Sequence, residues 1–283
     1  MIFYAFSSAL KESFPRDWQS RFLQDLLRPR SPRMAIAISI FFVSVPVFFE
    51  APLVRTLPLV SLLLTGLWFW AGYRLQQHPT WTFWGDLLQG FSWSWLAGSI
   101  YWGWFRWEPL LHLPMEAIGL PIALWALVRA RNGATPSLDT AVNGAVDAAV
   151  SGAVGAVGAV KMAVDTAVVA PSHPPSRHVG YTFYLGSLLG TAITDFYCYC
   201  IDVIPHWRRI MAAPPAQVPL IFREAVAQVE TPAGVTIAVI CGVILLTLGW
   251  ISARSTTIQG WIFSGTLLGT LLVDCLFIAV ARL

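Results

Sequence analysis

Seven apolar runs dominate the chain, at about 34–53, 56–73, 84–105, 110–128, 179–203, 233–252 and 258–281, and none has a Lys or Arg in its middle. Crossing a bilayer takes about 20 mostly apolar residues in a helix, whose backbone groups then satisfy one another. The runs match that length. Only 12% of the residues are charged, against about 25% in a soluble globular domain. A chain of this size cannot cover a soluble surface with so few. The predicted fold class is all-α: a polytopic transmembrane helix bundle of about seven spans, with an amphipathic N-terminal helix and the lipid bilayer as its first partner. The fourth run is the weakest, because Pro114 and Pro121 interrupt it. A re-entrant or tilted element suits it as well as a full crossing.

The predicted organisation has four parts. Residues 1–33 form a cytoplasmic amphipathic segment, 34–129 hold spans one to four, 130–178 form a low-complexity insert, and 179–283 hold spans five to seven. In the first part Trp18, Phe22 and Leu26 recur at helical spacing beside Arg16, Arg21 and Arg28. That pattern fits a helix lying on the membrane surface, or one docked on the protein's own cytoplasmic face. Lys11, Glu12 and Asp17 come too early for a signal peptide. The insert is nearly all Ala, Val and Gly. A Val stripe could line one helix face there, but Gly144, Gly152, Gly155 and Gly158 each cost a helix about 1 kcal/mol against Ala. It reads best as a low-complexity expansion, with a partner-binding helix as the alternative. With the N-terminus inside, twelve Lys and Arg residues fall on the cytoplasmic side and six on the other. That excess places the N-terminus in the cytoplasm.

The chain also repeats itself. Residues 186–195 read GSLLGTAITD and residues 265–274 read GTLLGTLLVD, identical at six of ten positions. Residues three or four apart share a helix face. Gly186 and Gly190 thus make one face of span five, and Thr191 and Asp195 an adjacent one that Asp202 extends. In span seven, Gly265 and Gly269 make the small face, with Thr270 and Asp274 on the polar stripe. Small residues four apart let helices approach closely in lipid, and Gly90 and Gly98 offer a matching ridge in span three. Tight packing among spans three, five and seven is predicted. Ionisable side chains at membrane depth are costly and tend to be functional. One span separates the two copies, so both run in the same direction and the two acids are predicted to sit at similar depth. No Lys or Arg within the spans can pair with either, so at least one is predicted to be neutral and hydrogen-bonded to Thr191, Thr270 or a backbone carbonyl. Stripes that face each other would let the pair share a proton or hold a cation. Asp195, Asp274, Thr191, Thr270 and Asp202 are the ion-pathway candidates.

Other chemistry is thin. Cys198 and Cys200 point to different sides of a helix, and Asp202 with His206 suits a local hydrogen bond at the membrane edge. No metal site or cofactor is predicted. All five histidines, including His112, lie in loops or near span ends, which disfavours pigment ligation. Glu108 and Glu116 flank the fourth span and mark a water boundary or a cavity mouth. Trp207, Arg208 and Arg209 read as headgroup anchors, and a short interfacial helix is expected from Pro219. There is no nucleophile–base pattern or phosphate loop, and no basic patch for nucleic acid.

The runs MAIAISIFFVSVPVFFEAPLVR (34–55), GSIYWGWFRWEPLLHLPMEAIGLP (98–121) and GTAITDFYCYCIDVIPHWRRIM (190–211) resemble an uncharacterised cyanobacterial membrane family, domain of unknown function 3120. The resemblance covers both halves but not the Ala/Val/Gly insert. It implies a photosynthetic bacterium and a plasma or thylakoid membrane. It implies no activity and carries no site residues. Two functional readings follow from the residues: a small transporter or ion-pathway protein using the paired acids, or a non-catalytic accessory or assembly subunit of a membrane complex.

Overall fold

The computed structural model describes residues 31–132, 178–214 and 216–282. Most of the predicted amphipathic segment at 1–33 and most of the 130–178 insert therefore lie outside the described residues. What is described is helical, with no strand among the described residues.

Prolines and caps set the boundaries. Helix α1 (Pro32–Thr56) starts at Ser31, whose side chain accepts the Met34 N–H at 3.3 Å, with Pro32 in the first turn. Pro46 cannot donate to the helix ladder, and the helix widens there into a π turn, Pro46–Glu50. Leu57 leaves helical geometry (φ −138°, ψ 64°) because Pro58 follows it. Helix α2 (Pro58–Gln76) leads to α3 (Thr82–Ile100), which runs on into a second π turn, Tyr101–Phe105. Element α4 (109–132) is broken into a 3₁₀ turn, the short helix His112–Glu116, a second 3₁₀ turn (Ala117–Gly119) and the helix Leu120–Asn132.

Helix α5 (Val179–Cys200) ends in a tight turn where Asp202 takes φ 56°, a left-handed conformation that Asp tolerates better than most residues. The chain then bends by 96° into α6 (Ile204–Ala212). Helix α7 (Val218–Val229) forms where a short helix was expected after the α5–α6 bend. Thr231 and Thr257 cap α8 (Pro232–Ala253) and α9 (Ile258–Ala281), accepting the N–H groups of Gly234 and Gly260 at 3.1 and 3.2 Å.

Seven crossings were expected from run length. Four helical segments, α1, α4, α8 and α9, are both long and apolar enough to cross a membrane, and α5 with α6 makes a fifth if the bent pair is one span. Helices α2 and α3 form where runs two and three lie, but Trp, Gly, Ser and Gln together with Asp86 and Arg74 dilute their apolar character.

Helix α9 is the centre of the bundle. It packs against α1, α5 and α8, while α3 packs between α2 and α5. Half of α9's apolar window is buried, against 22% for α1 and for α8, and Ile262, Phe263 and Leu267 are fully buried. Glycines set the close crossings. A Cβ at Gly90 would collide with the backbone of Gly180, so α3 and α5 touch there main chain to main chain. Gly265 lies under Ile36 of α1, whose carbonyl would be 2.6 Å from an added Cβ, and Gly269 lies under Ile40. The Gly186–Gly190 face of α5 receives the side chains of Thr266 and Thr270 from α9. The glycines of the repeated phrase thus serve the α5–α9 and α9–α1 seams, and Gly90 serves α3–α5.

One buried acid completes the frame. Asp86 of α3 is 5% exposed and accepts the Gly180 N–H at 3.1 Å and the Val179 N–H as well. Those are first-turn donors of α5, which its own His178 does not cap. A carboxylate is favoured at a helix N-terminus, so Asp86 ties the start of α5 to α3.

Gly90→Ala should therefore lower the melting temperature of the detergent-solubilised protein, with an overpacking cost of about 1–3 kcal/mol. Gly66→Ala is the control: nothing lies within 4 Å of an added Cβ there, and the variant should melt at or slightly above the wild type. Equal melting of both variants would mean that the α3–α5 contact is not a stability determinant.

Candidate functional site

The two acids of the repeated phrase come to one end of the bundle, each with its own partner. Asp274 of α9 accepts a hydrogen bond from the Thr194 hydroxyl of α5 at 2.8 Å. Asp195, the next residue on α5, faces α4 instead. Both of its carboxylate oxygens lie on Nδ1 of His112, at 2.9 and 3.1 Å. The other ring nitrogen of His112, Nε2, is 3.5 Å from Glu116 Oε1. Asp195 and Asp274 are near enough to feel each other's charge, and Cys198, one turn further along α5, is within range of both.

The breaks in α4 make this arrangement possible. His112 and Glu116 are four residues apart in its short first helix, so they share a face. Tyr184 of α5 holds the turn that follows. Its hydroxyl accepts the Gly119 N–H at 3.0 Å and donates to the Glu116 carbonyl. Gly119 is tightly enclosed, since an added Cβ would lie 3.0 Å from the Tyr184 ring and 3.1 Å from Trp93, and the rings would have to give by a few tenths of an ångström. Tyr101, in the π turn after α3, stacks on the His112 ring with centroids 4.4 Å apart. Trp102 packs edge-on to His112 and also meets Trp207 of α6, 5.4 Å between centroids.

Helix α6 lies over this end. The Trp207 Nε1–H donates to the Arg106 carbonyl at 2.8 Å, and Arg208 meets Glu108 at 2.6 Å. The guanidinium holds the Glu108 carboxyl below the usual carboxylate range. Arg209 reaches Glu224 of α7, also at 2.6 Å. Trp207 and its arginines therefore make specific protein contacts beyond the headgroup anchoring expected of them.

Glu50 is the last acid at this end. It stands at the end of the α1 π turn, is 1% exposed, and accepts a hydrogen bond from the Ser99 hydroxyl of α3 at 2.9 Å. Gly98 is the seat of this carboxylate: an added Cβ would be 2.9 Å from Oε1 and 3.0 Å from Oε2.

Of the predicted candidates, Asp195 and Asp274 come together. Thr194, rather than Thr191, supplies the hydroxyl to Asp274. Thr270 donates to the Thr266 carbonyl of its own helix at 3.1 Å. Asp202 is exposed in the turn after α5. Sequence reasoning passes over His112, puts Glu116 only at a water boundary or cavity mouth, and passes over Glu50. The i, i+4 spacing of the first two and the burial cost of an acid inside an apolar run were the available signals. Among the described residues no group of three or more His, Cys, Asp or Glu side chains is arranged to hold a metal ion.

Tyr184→Phe should leave a buried N–H and a buried carbonyl of α4 without their shared partner. A loss of about 1–3 kcal/mol is expected, together with looser packing of the His112 segment, read as faster hydrogen exchange across 109–120. Unchanged exchange in that segment would show that the hydroxyl does not hold the break.

No curated protein and no solved structure matches the chain. A family match covers residues 39–140 and 157–282, and the stretch it leaves out, 141–156, lies inside the Ala/Val/Gly-rich insert. The chain belongs to the family described as "Protein of unknown function (DUF3120)".

Proposed function

We propose that the protein is an integral membrane protein of seven crossings, with its N-terminus in the cytoplasm, and that it conducts or couples to protons or another small cation. The observation that carries this reading is the charge balance around His112. Glu116 and Asp195 meet one imidazole, and Asp274 is near enough to Asp195 to feel its charge. Three carboxyls beside one histidine are costly to hold in a low-dielectric bundle without something positive to offset them. Bound protons or a bound cation supply that offset, and a site that must hold one to stay stable is a site that can load and unload it. Intramembrane acids and histidines mark such routes in pumps and transporters.

The seven-span topology rests on the length of the runs and on the twelve-to-six distribution of Lys and Arg. In that topology the acid cluster lies toward the non-cytoplasmic side, beneath α6. It is the station where an ion enters or leaves rather than a complete route.

Reconstituted into liposomes, the wild type should dissipate an imposed proton or cation gradient. Asp195→Asn and Asp274→Asn should each slow that flux by about tenfold or more. Unchanged flux in both variants removes the reading.

A further inference from the structure

A groove opens sideways between α1 and α3, away from the acids. It encloses about 330 Å³ and is lined by Ala37, Ile38, Phe41, Phe42 and Trp84, almost entirely by apolar atoms. Ligand-holding clefts run from about 300 to 1,000 Å³, so its size suits a slender occupant. The floor is fixed. Ile38 is buried, and the Phe42 ring meets Phe91 edge to face at 5.2 Å and Phe183 at 6.2 Å. One wall, Phe41, is exposed, and the other, Trp84, tilts against Phe42 at 6.3 Å. Rings packed this closely from behind cannot shift to fill the groove.

The two ends of the groove differ. Helical residues four apart share a face, and their side chains lean toward the helix start. Arg33, Ala37 and Phe41 have that spacing. The Arg33 guanidinium therefore stands beyond the groove at the start of α1, about 12 Å along the helix from Phe41. Arg33 is exposed, and no ion pair among the described residues includes it. One helix, α2, separates α1 from α3, so their starts face the same side. Trp81, exposed at the start of α3, is the residue type that settles at the headgroup level, and Trp84 follows one turn inside it. The groove thus leads from a cation at the headgroups into the hydrocarbon.

We propose that this groove is a lipid site: an acyl chain of an anionic phospholipid lies along Ala37, Phe41 and Trp84, and its phosphate meets Arg33. A guanidinium presents a fork of N–H donors that matches two phosphate oxygens. Within a bilayer the chain gains close packing rather than burial from water, and walls that are already rigid supply it. Two other occupants fit worse. A second copy of this chain would need about 20–30 residues a side for a standard interface, far more than line this slot. Residues 1–30 carry Lys11, Arg16, Arg21, Arg28 and Arg30, charges that an oil-facing slot disfavours. The site is independent of the ion-pathway reading and asks only that the chain be embedded in a bilayer.

The test uses the full chain in vesicles of equal phosphatidylglycerol and phosphatidylcholine, with a benzophenone-bearing phenylalanine in place of Phe41. After illumination, mass spectrometry identifies what the probe has captured. Phospholipid is expected, the anionic species about fivefold more often than the zwitterionic one, and Arg33→Gln should return the ratio to that supplied. The same probe in place of Leu63, exposed on α2, should capture both lipids equally. If the Phe41 probe prevents folding, native mass spectrometry of the chain without the probe decides the matter. The wild type should then keep phosphatidylglycerol in mild detergent, and both Arg33→Gln and Ala37→Trp, which fills the groove, should lose it. Equal capture of the two lipids by the Phe41 probe, or a preference that survives Arg33→Gln, overturns the site. So does cross-linking to residues 1–30 or to a second copy, or retention of phosphatidylglycerol by Ala37→Trp.

Discussion

Asp195 can stay inside the bundle only because His112 meets it, and much of the local architecture serves that meeting. An uncompensated carboxylate in low dielectric is severely unfavourable, and removing one partner of a buried pair typically costs about 3–5 kcal/mol. His112 comes from α4, an element that two prolines prevent from being a regular helix. Specific contacts support the breaks. Tyr184 satisfies a donor and an acceptor at the second break, Tyr101 covers the ring of His112, and Trp207 of α6 ties the loop before α4 to the end of the bundle. Irregular backbone at membrane depth is tolerated only where protein or a polar cavity surrounds it, and α4 meets that condition through these contacts.

The repeated phrase shows one local design used for two purposes. Gly186 and Gly190 form a groove for threonines, whereas Gly265 and Gly269 form a groove for the main chain of α1. Threonine fits the first groove because its hydroxyl bonds back to its own helix: Thr266 donates to the Phe263 carbonyl at 2.7 Å, and Thr270 to the Thr266 carbonyl. What faces the glycines is then a compact group with its polar atom satisfied. The terminal acids diverge in the same way, Asp274 toward Thr194 and Asp195 toward His112. Identical spacing brings a glycine groove and an acid to the same relative position on each helix. The neighbours each helix meets decide what those groups do.

Much of the fold is legible in the sequence because lipid allows few solutions. The apolar runs, the interruptions at Pro114 and Pro121, and a short helix after Pro219 can all be read from local rules. The site is legible only in part. Asp195 and Asp274 stand out because an acid in an apolar helix is expensive wherever it points. His112 does not, because a histidine near a span end is ordinary until α5 is placed beside it. Glu50 is obscured differently. Regular helical spacing gives no hint of the π turn at Pro46, and that extra residue sets the direction in which Glu50 leaves α1. Gly98 reads as part of a small-residue ridge for helix packing, but what it accommodates is a carboxylate.

The distribution of rigidity follows from the same contacts. The α5–α9 and α9–α1 seams are glycine contacts with no spare volume, so the helices carrying Asp195 and Asp274 cannot shift against each other without overlap. Helix α5 is held at its other end as well, by Asp86 and by the Gly90–Gly180 contact. Element α4 has no such seam. Its interrupted backbone meets α5 through Tyr184, His112 and modest apolar packing around Ala123. A change of charge at Asp195 therefore acts across an interface with one stiff side and one compliant side. The stiff side keeps the acids at fixed depth and spacing. The compliant side carries the only imidazole that the described residues place against Asp195, so a change at that pair falls on α4 before it reaches the bundle.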